Sequence, residues 1–415
     1  MSGWLQLTVN TTRMSSKRAD LQVVAGVTQE LLRYCAEADW AGHDPYDALN
    51  SRLFQALPFR HSKWARLVFT QAMKRSALNC RHLLLVPRTH NPKGLALFLT
   101  SLVKLLRVGI LQDRKPLTHL AELLLGFRTE NSGLSCWGYS FDWQTRSKLV
   151  PRGSANIICT TFAANALIDA YEALGVTEYR DAGIEAARFV RDHLYTERGD
   201  IGWFNYTPLE DLQIHNANLL GAALLCRAAS IAGDERFITP ALRATRFSTT
   251  RQNEDGSWYY GERSQPSQKW IDNFHTGFNL CALRRVCRYA STDEFEPSLK
   301  RGLEYYINHF FAAGNAPKYF HNQTYPIDVH SVAQSIVTLV ELADMRPGAS
   351  DLALAVFAWA HSNLWDKRGY FYYQKHRYWT NRIPYMRWSQ AWMLLALASL
   401  MDKDVVSCTS LKPIE

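Results

Sequence analysis

Several sequence signatures that identify common protein classes are missing from this chain of 415 residues. None of its eight cysteines belongs to a CxxC pair, which excludes the usual zinc-ribbon and thioredoxin-like motifs. No uncharged apolar stretch approaches the roughly 20 residues needed to cross a bilayer, and residues 1–18 lack the apolar core of a signal peptide. Since several cysteines also lie in apolar helical runs, these absences favour a cytoplasmic protein, with a peripheral position at the inner membrane left open.

Signatures of nucleotide binding, of α/β-hydrolases and of nucleic-acid binding are absent as well. The sequence contains no P-loop, no Rossmann glycine pattern, no GxSxG elbow and no known nucleic-acid-binding motif. We therefore expect no nucleic-acid partner and no organic cofactor. Convincing alternating strands are missing too, which indicates an all-α protein whose only strands are small hairpins in the loops.

Acidic residues are absent over a long stretch, residues 48–112. The basic residues of this stretch are Arg52, Arg60, Lys63, Arg66, Lys74, Arg75, Arg81, Arg88, Lys93, Lys104 and Arg107. Within it, residues 63–85 have the pattern of a basic amphipathic helix. Such a helix binds an anionic membrane surface or another polyanion, and a solvated basic face is the simpler alternative.

A repeated unit is the most regular feature of the chain. Gly- and aromatic-rich loops recur about every 50–65 residues, and each is followed by a polar cluster that opens an apolar helical run. The loops are at 137–143, 202–206, 255–260, 319–320 and 369–373. The polar clusters that follow them are at 156–161, 215–218, 272–277, 328–334 and 387–390.

The helical runs are of two kinds, which alternate. Runs such as 156–174, 219–229 and 388–400 are apolar nearly all round, whereas 179–194 and 294–310 carry charges on one face. Because helices of the first kind are buried and those of the second have one wet face, the alternation predicts an inner and an outer ring. We therefore predict an all-α (α/α)6 toroid as a single domain over 1–415, with 1–18 flexible and 48–112 as a basic helical part of the ring.

Several short motifs resemble those of a known superfamily. They are Asp44-Pro45-Tyr46-Asp47, Asn91-Pro92-Lys93, Trp137-Gly138-Tyr139 and Asp272-Asn273-Phe274-His275-Thr276-Gly277. Together with the alternating helices, they look like the α/α-toroid superfamily of six-hairpin glycosidases, uronate lyases and epimerases, and squalene-cyclase-like proteins. They also resemble uncharacterised proteins encoded with bacterial polysaccharide-biosynthesis genes. The resemblance implies a carbohydrate-active enzyme of polysaccharide biosynthesis or modification.

The same resemblance includes one motif of the cyclase branch. Residues 252–258 (QNEDGSW) are similar to the QW motif of triterpene cyclases, which braces helix ends. The acidic DxDD motif with which those cyclases protonate their substrate is absent. This departure weighs against a squalene-type reaction.

A toroid would bring the polar clusters together. Its inner helices run parallel, so their N-termini share one face, and each presents unpaired backbone N–H groups and about half a positive charge. Several such ends favour an anion. We therefore expect an acidic glycan or a lipid-linked oligosaccharide to bind in a cleft at these helix ends.

The candidate catalytic groups lie at or near the starts of the inner helices. They are His275, His330, His215, Asp272, Asp328 and Tyr206. Histidine is the natural acid or base at neutral pH, and Asp272 lies three residues before His275, where its carboxylate can orient the imidazole. The alternative is that Asp272 and Asp328 are ordinary helix N-caps. A zinc ion held by Asp272 and two of the histidines is a further alternative.

The candidate substrate-binding groups come from the aromatic loops and from nearby polar residues. They are Trp137, Tyr139, Asp142, Arg146, Arg152, Trp203, Trp258, Tyr260, Arg387 and Trp388. Aromatic rings stack on the flat apolar faces of sugars, and arginine holds a carboxylate with two parallel hydrogen bonds. For each aromatic residue, packing at a helix end is the competing interpretation.

Four functions stay open on these residues. The first is a uronosyl epimerase or lyase, in which His or Tyr removes the C5 proton and cationic groups stabilise the enolate. The second is a glycoside hydrolase with two carboxylates drawn from Asp142, Asp255, Asp272 and Asp328. The third is a terpenoid cyclase-like enzyme, and the fourth is a non-catalytic glycan-binding or scaffold protein.

Overall fold

The computed structural model describes the backbone of residues 2–145, 148–209, 212–262 and 268–409. Side chains are described over the same ranges apart from residues 2–19, 130 and 403–409. The helices of the described residues are α1 (Ser2–Glu37), α2 (Arg52–Ala56), α3 (Lys63–Arg75), α4 (Pro92–Arg107), α5 (Lys115–Gly126), α6 (Ile157–Leu174), α7 (Thr177–Phe189), α8 (His215–Ala232), α9 (Ile238–Thr249), α10 (Asn273–Tyr289), α11 (Glu296–His309), α12 (Val329–Glu341), α13 (Ala349–Leu364) and α14 (Trp392–Thr409). A π-helical turn, Met386–Ala391, leads into α14.

Six of these helices form a closed inner ring. In chain order they are α4, α6, α8, α10, α12 and α14, and each packs against the next. The ring closes because α14 also packs against α4. Residues from the starts of all six helix segments meet at one mouth of the ring, and residues from their later turns meet at the other. The inner helices are therefore parallel, as predicted for an (α/α)6 toroid.

The outer ring has one member that the sequence did not lead us to expect. Helices α5, α7, α9, α11 and α13 each pack against the inner helix that precedes them in the chain. The sixth inner helix, α14, packs instead against α1. The two ends of the chain thus complete one hairpin, which covers the apolar α14 without a polar capping repeat. The flexibility expected of residues 1–18 stays a prediction, although α1 begins at Ser2.

Composition explains which helices are inner and which are outer. Helix α6 is mostly apolar and packs between α4 and α8, whereas α7 keeps Arg188 on a solvent-exposed face. By length and composition α6 could cross a membrane, but most of it is buried in the ring. Gly175 ends α6 and Gly233 ends α8, with φ of 75° and 64°, and these left-handed residues let the chain turn into the outer helix.

Short strands lie in the loops of the described residues, as the aromatic loops led us to expect. They are β1 (Thr129–Asn131), β2 (Leu134–Cys136), β3 (Trp143–Gln144), β4 (Leu149–Val150), β5 (Tyr195–Arg198), β6 (Ile201–Phe204), β7 (Ile327–Asp328), β8 (Trp365–Asp366), β9 (Tyr370–Phe371), β10 (Gln374–Lys375) and β11 (Thr380–Asn381). The pairs β1–β2, β3–β4, β5–β6 and β8–β9 are antiparallel, and β11–β10–β7 form a three-stranded sheet. Strand β7 ends where α12 begins, so this sheet lies at the N-terminal mouth.

The basic segment departs from its predicted place in the ring. Only its last part, α4, is a ring helix, whereas residues 48–86 pack around a small hydrophobic cluster of their own. The predicted helix over 63–85 ends at Arg75, and Ser76 and Leu78 then form a tight turn through two hydrogen bonds. The ring has no position for this segment, because α1 already supplies the sixth outer helix.

Candidate active site

The aromatic loops hold the N-termini of the inner helices. In four of these helices, the first backbone N–H donates to a carbonyl oxygen in a loop of the next hairpin. The pairs are Ile157 with Tyr206 (3.0 Å), His215 with Tyr260 (3.2 Å), Asn273 with Tyr319 (2.9 Å) and Val329 with Tyr373 (3.0 Å). This repeated hydrogen bond joins neighbouring hairpins and satisfies a donor that a helix start otherwise leaves unpaired.

Side-chain caps bind a second donor at several of the same helix ends. The Asn156 side chain accepts from the N–H of Cys159 (2.9 Å), Asp272 from His275 (2.9 Å) and Asp328 from His330 (2.8 Å). The interpretation of Asp272 and Asp328 as N-caps is thus confirmed. The expectation that free N–H groups would bind an anion is wrong for these donors, because protein oxygens already occupy them.

The tryptophans of three aromatic loops are structural braces. Trp137, Trp203 and Trp258 are each at most 2% exposed. The indole N–H of Trp137 donates to the carbonyl of Leu124 in α5, and that of Trp258 donates to the carbonyl of Ser248 in α9. We predicted all three as substrate-binding residues, and the structure corrects this. An indole between two helices buries a large apolar area, and burying that area stabilises the fold.

Tyrosines two or three positions later in the same loops face a cavity inside the ring. Tyr139, Tyr206 and Tyr260 line a cavity of about 460 Å³ at the N-terminal mouth. Its other lining residues are Tyr46, Lys93, Phe141, Trp143, Ile158, Asn216, Trp270, Asp272, Phe274, His275, Phe278, Tyr319, Phe320, His330, Arg387 and Trp388. Most of the wall is aromatic, so the cavity offers the flat apolar surfaces on which sugar rings stack.

His275 and Asp272 form an oriented acid–base pair in this cavity. The imidazole Nδ1 lies 2.7 Å from Asp272 Oδ2, and the His275 side chain is 22% exposed. The same carboxylate accepts from the indole N–H of Trp270 at 2.9 Å, and Tyr260 packs 4.6 Å from the imidazole. Because a carboxylate only accepts hydrogen bonds, it fixes Nδ1 as the protonated nitrogen and leaves Nε2 as the basic one. The predicted contact between these two residues is present.

His330 lies in the cavity wall in a different environment. Its ring is 1% exposed, stacks on Phe274 at 4.4 Å and meets the edge of Trp388 at 4.6 Å. Neither ring nitrogen has a hydrogen-bond partner among the described residues. Burial, strengthened by the nearby charge of Lys93, holds the His330 pKa well below its ordinary value. The neutral ring therefore has one donor and one acceptor available to a ligand.

Two phenol groups also lie together in the cavity. The hydroxyl oxygens of Tyr139 and Tyr206 are 3.5 Å apart, and the Tyr139 ring stacks on Phe141 at 5.2 Å. Burial raises the pKa of both phenols above the ordinary value. They therefore keep their protons at neutral pH, and they can donate a hydrogen bond or a proton to a sugar oxygen.

Arg387 lines the cavity, but the chain itself supplies its carboxylate partner. Nε and Nη2 donate to the Asp44 carboxylate at 2.5 and 2.8 Å, and both side chains are buried. The π-helical turn at 386–391 places Arg387 and Trp388 side by side in the wall. The structure thus corrects the predicted role of Arg387, because Asp44 occupies the hydrogen bonds that we assigned to a substrate carboxylate.

Two predicted catalytic residues face away from the cavity. His215 is buried between α8 and α9, where its Nδ1 lies 3.1 Å from a serine hydroxyl of α9. Asp328 is buried behind Trp388, whose indole N–H donates to it at 2.9 Å. Burial lowers the pKa of His215 to about 4 and raises that of Asp328 to about 6. The structure thus corrects the predicted catalytic roles of His215 and Asp328. An inner helix has a buried side as well as a cavity side, and both residues lie on the buried side.

The remaining polar candidates stabilise loops or lie outside the described residues. Asp142 accepts from the backbone N–H of Arg152 at 2.8 Å, and the Arg152 side chain is exposed. Asp255 accepts from a backbone N–H within its own turn. Of the four aspartates that we considered for hydrolysis, Asp272 is the one that lines the cavity among the described residues. Arg146 lies outside the described residues.

Lys93 is the main cavity residue that sequence reasoning missed. It is the second residue of α4, is 4% exposed, and places Nζ 4.6, 5.3 and 5.2 Å from the ring centroids of Phe162, Phe278 and Trp392. The missed signal was Asn91 followed by a proline, which marks a helix start. If this pair is counted as a further polar cluster, Lys93 joins the candidate residues at the starts of the inner helices.

Metal ligands are not grouped in the described ranges. There, no set of three or more His, Cys, Asp or Glu side chains has the arrangement of a metal site. Asp272 and His275 are in contact, but His215 lies on the buried side of α8. The zinc alternative therefore lacks a ligand set among these residues.

Solved structures with similar folds include several carbohydrate enzymes. Cellobiose 2-epimerase from Bacillus thermoamylovorans superimposes with a TM-score of 0.60 at 8% identity, over 76% of this chain and 88% of that one. An unsaturated glucuronyl hydrolase specific for heparin superimposes with a TM-score of 0.58 at 12% identity, over 79% of this chain and 90% of that one. A family 76 α-mannanase from Bacteroides thetaiotaomicron superimposes with a TM-score of 0.58 at 13% identity, over 77% of this chain and 88% of that one.

These similarities decide the architecture. The chain is an (α/α)6 toroid of the six-hairpin type. At identities this low, the likeness shows the fold alone. No protein-family model matches the sequence, and no curated protein matches it.

Proposed function

We propose that this toroid is a carbohydrate-active enzyme that moves a proton at a carbon atom of an acidic sugar, as a uronosyl epimerase or lyase does. The observation that carries the proposal is the Asp272–His275 pair, which leaves a basic imidazole nitrogen in the wall of an aromatic cavity. Among the similar structures, two are cellobiose 2-epimerases and one is a glucuronyl hydrolase, which supports a sugar substrate. A role in polysaccharide biosynthesis belongs to the same proposal and is supported by the sequence motifs. A cytoplasmic location is also part of the proposal, and the free cysteines of the described residues support it.

The cavity contains the groups that such a reaction needs. His275 Nε2 takes the proton from C5 of a uronosyl residue, and the electron pair of the broken C–H bond passes into the enolate of its carboxylate. Tyr139 and Tyr206 donate hydrogen bonds to oxygens of the substrate. Return of a proton from a tyrosine hydroxyl to the opposite face of C5 gives the epimer. Departure of the C4 oxygen with a proton from such a hydroxyl gives the unsaturated lyase product.

Hydrolysis by a pair of carboxylates has less support from the geometry. Such a reaction needs one carboxyl group as acid and a second as base or nucleophile. Among the described residues, Asp272 is the single carboxylate that lines the cavity, and it is engaged with His275.

Uronate-containing oligosaccharides incubated in D2O test the proposal. Deuterium at C5 without cleavage identifies an epimerase, and a product with the ultraviolet absorbance of an α,β-unsaturated carboxylate identifies a lyase. The same signals should be absent from His275→Ala and present in the matched variant Arg107→Gln, which alters the opposite mouth of the ring. New reducing ends without deuterium or absorbance would instead establish hydrolysis and overturn the proposed reaction.

A further inference from the structure

The charged side chains of the cavity are few, and most of them have partners. Arg387 is bound by Asp44, and Asp272 is bound by His275. Lys93 differs, because its ammonium has no ion pair among the described residues and lies over three aromatic rings. It is therefore the one charged group of the described cavity wall whose charge is not balanced by a partner.

The position of Lys93 gives it no evident structural use. A cation in the first turn of a helix is opposed by the helix dipole, which favours negative charge there. Aromatic faces attract an ammonium group, but they do not replace the oxygen acceptors that its three N–H donors lose on leaving water. A buried lysine in this cage therefore lowers the stability of the empty protein, and an incoming anion would reverse that effect.

Several other sources of positive charge at this mouth are already occupied. The first N–H groups of α6, α8, α10 and α12 are bound by loop carbonyls, and three further donors are bound by capping side chains. Arg387 Nε and Nη2 donate to the Asp44 carboxylate. An anion that enters the cavity thus finds Lys93 as its available charged partner.

We infer that Lys93 binds the carboxylate of the substrate, and that this contact makes the enzyme selective for acidic over neutral sugars. The inference rests on the proposed function and deepens it by naming the group that recognises the acid. Next to the reacting carbon, an ammonium bound to the carboxylate also stabilises the enolate that proton removal creates.

The pH dependence of binding follows from the surroundings of Lys93. The Lys93 pKa is lowered to about 7, chiefly by burial and then by the charge of Arg387, while Cys159 and Asp44 act in the opposite direction. His330, on α12, is neutral and adds no charge. Because the anion needs the ammonium form, its affinity should fall as pH rises above about 7, and binding near that pH should take up a proton.

Calorimetric titration with D-glucuronate and with D-glucose tests this inference without any turnover. The wild type should bind glucuronate at least about tenfold more tightly than glucose, and Lys93→Met should remove the difference. Lys93→Arg should restore part of it. Equal affinities for the two sugars, or no binding of glucuronate, would overturn the inference.

Two controls separate this inference from the proposed reaction. His275→Ala should bind glucuronate as the wild type does while losing turnover. Lys93→Met should fold with an unchanged or higher melting temperature, because methionine fits an aromatic cage and carries no charge. Selective binding without any turnover would leave the Lys93 inference standing and remove the proposed function. Turnover of uronate oligosaccharides together with equal affinities for glucuronate and glucose would do the opposite.

A second inference concerns the segment outside the ring and rests on different observations. Residues 52–85 carry a dense set of exposed apolar side chains: Leu53, Leu57, Phe59, Trp64, Val68, Leu78, Leu83 and Leu85. Trp64 is 72% and Val68 is 67% exposed, and both lie on one face of α3. Single exposed apolar residues are ordinary, but a concentration of them marks an interaction surface.

The charge and the position of this segment indicate what it contacts. Its exposed charged residues include Arg60, Lys63 and Arg75, and the surrounding stretch 48–112 contains no acid. On its inner side, Lys74 Nζ donates to the hydroxyl of Tyr46, a lining residue of the cavity, at 2.6 Å. The surface therefore lies beside the cavity mouth, and basic side chains with intercalating apolar groups match an anionic bilayer.

We propose that this surface docks on an anionic membrane and brings the cavity to a lipid-linked glycan. Sedimentation with vesicles of phosphatidylcholine containing phosphatidylglycerol should remove the protein from solution, whereas pure phosphatidylcholine should leave it there. Trp64→Ser with Val68→Ser, and separately Lys63→Gln with Arg75→Gln, should each reduce binding severalfold, and Leu209→Ser is the matched control at another exposed position. Binding that ignores lipid charge and both variants would overturn the proposal, as would a stable dimer that buries this surface.

Discussion

The two mouths of the toroid differ in how the ends of the inner helices are satisfied. At the N-terminal mouth, loop carbonyls and capping side chains bind the backbone donors. The cavity there is walled by aromatic rings and contains Lys93, His275 and His330. At the C-terminal mouth lies a second cavity, of about 270 Å³, to which all six inner helices contribute. Phe162 lines this second cavity and packs against Phe278 of the first, so aromatic rings separate the two.

Charged side chains at the C-terminal mouth pair with one another. The pairs are Lys104 with Asp402 (3.0 Å), Arg227 with Asp169 (2.6 Å) and Glu172 (2.9 Å), and Arg285 with Glu341 (3.8 Å). The cations also lie near helix C-termini, where the dipole favours positive charge. These groups therefore have a structural use. At the other mouth, neither ring nitrogen of His330 has a hydrogen-bond partner among the described residues, and Lys93 Nζ lies over aromatic rings.

The comparison teaches how to separate binding residues from structural ones in a repeat protein. Position at a helix end does not distinguish them, because both mouths are rich in polar residues. The distinction is whether the hydrogen-bonding and charge requirements of a side chain are met inside the chain. Variants at the two mouths should therefore affect different properties of the protein.

The largest effect should come from His275→Ala at the N-terminal mouth. Turnover should fall by about 10²–10⁴-fold, the range for loss of a general base. The melting temperature should change little, because the Asp272 cap bonds to the backbone N–H of residue 275, which the variant keeps. Steady-state kinetics and a thermal melt check both parts. A large loss of stability with activity left over would show that His275 is a structural residue.

Acid should act on stability through two polar groups that face away from the cavity, and the two act in opposite directions. His215 is neutral in the fold with a pKa of about 4, whereas the unfolded side chain binds a proton below about pH 6.5. Its contribution is therefore complete above that pH and is lost as pH falls towards 4, by up to about 3 kcal/mol. Asp328, with a pKa of about 6, acts in the opposite direction, because its folded form holds a proton between pH 4 and 6 that the unfolded form releases.

Urea unfolding at a series of pH values measures this dependence. The stability of His215→Asn relative to the wild type should rise by up to about 3 kcal/mol as pH falls from 6.5 to 4, and its turnover at neutral pH should be intact. An unchanged slope would mean that His215 is not a buried neutral group, and lost turnover would return it to the catalytic residues.

Arg227→Met should act on stability alone at the C-terminal mouth. The change leaves the carboxylates of Asp169 and Glu172 without their shared cation, and we expect a loss of about 2 kcal/mol because both acids are partly exposed. Turnover per folded molecule should be unchanged. Denaturant unfolding measures the loss of unfolding free energy. Arg288→Met, which changes an exposed neighbour, is the control and should lose less stability. A specific loss of turnover would show that the two mouths are coupled.

The smallest effect should come from Arg107→Gln on the same rim. Arg107 is 55% exposed and pairs with Asp402 at 3.1 Å. An exposed pair of this kind contributes less than about 1 kcal/mol, and salt screens it. Unfolding free energies of wild type and variant should therefore converge at high ionic strength. A difference that persists in salt would mean that the rim is less hydrated than its exposure indicates.

The sequence predicted the architecture better than the direction of individual side chains. Periodicity separated the apolar α6 from the amphipathic α7, and the spacing of Asp272 and His275 predicted a contact that the structure contains. It did not separate Trp137, which is a brace, from Tyr139, which faces the cavity. Both are aromatic residues of one loop, and their directions depend on which neighbouring helix has room for a ring.

By itself, the sequence determined a closed ring of paired helices with polar residues at the inner helix starts, because apolar periodicity and capping residues act over one or two turns. The tertiary structure alone decided how the ring closes through α1 and α14, and that Asp44 neutralises Arg387 from 343 positions away. It also decided that the Lys93 ammonium lies over three aromatic rings. Charge balance and burial depend on groups that are distant in the chain, so no local pattern records them.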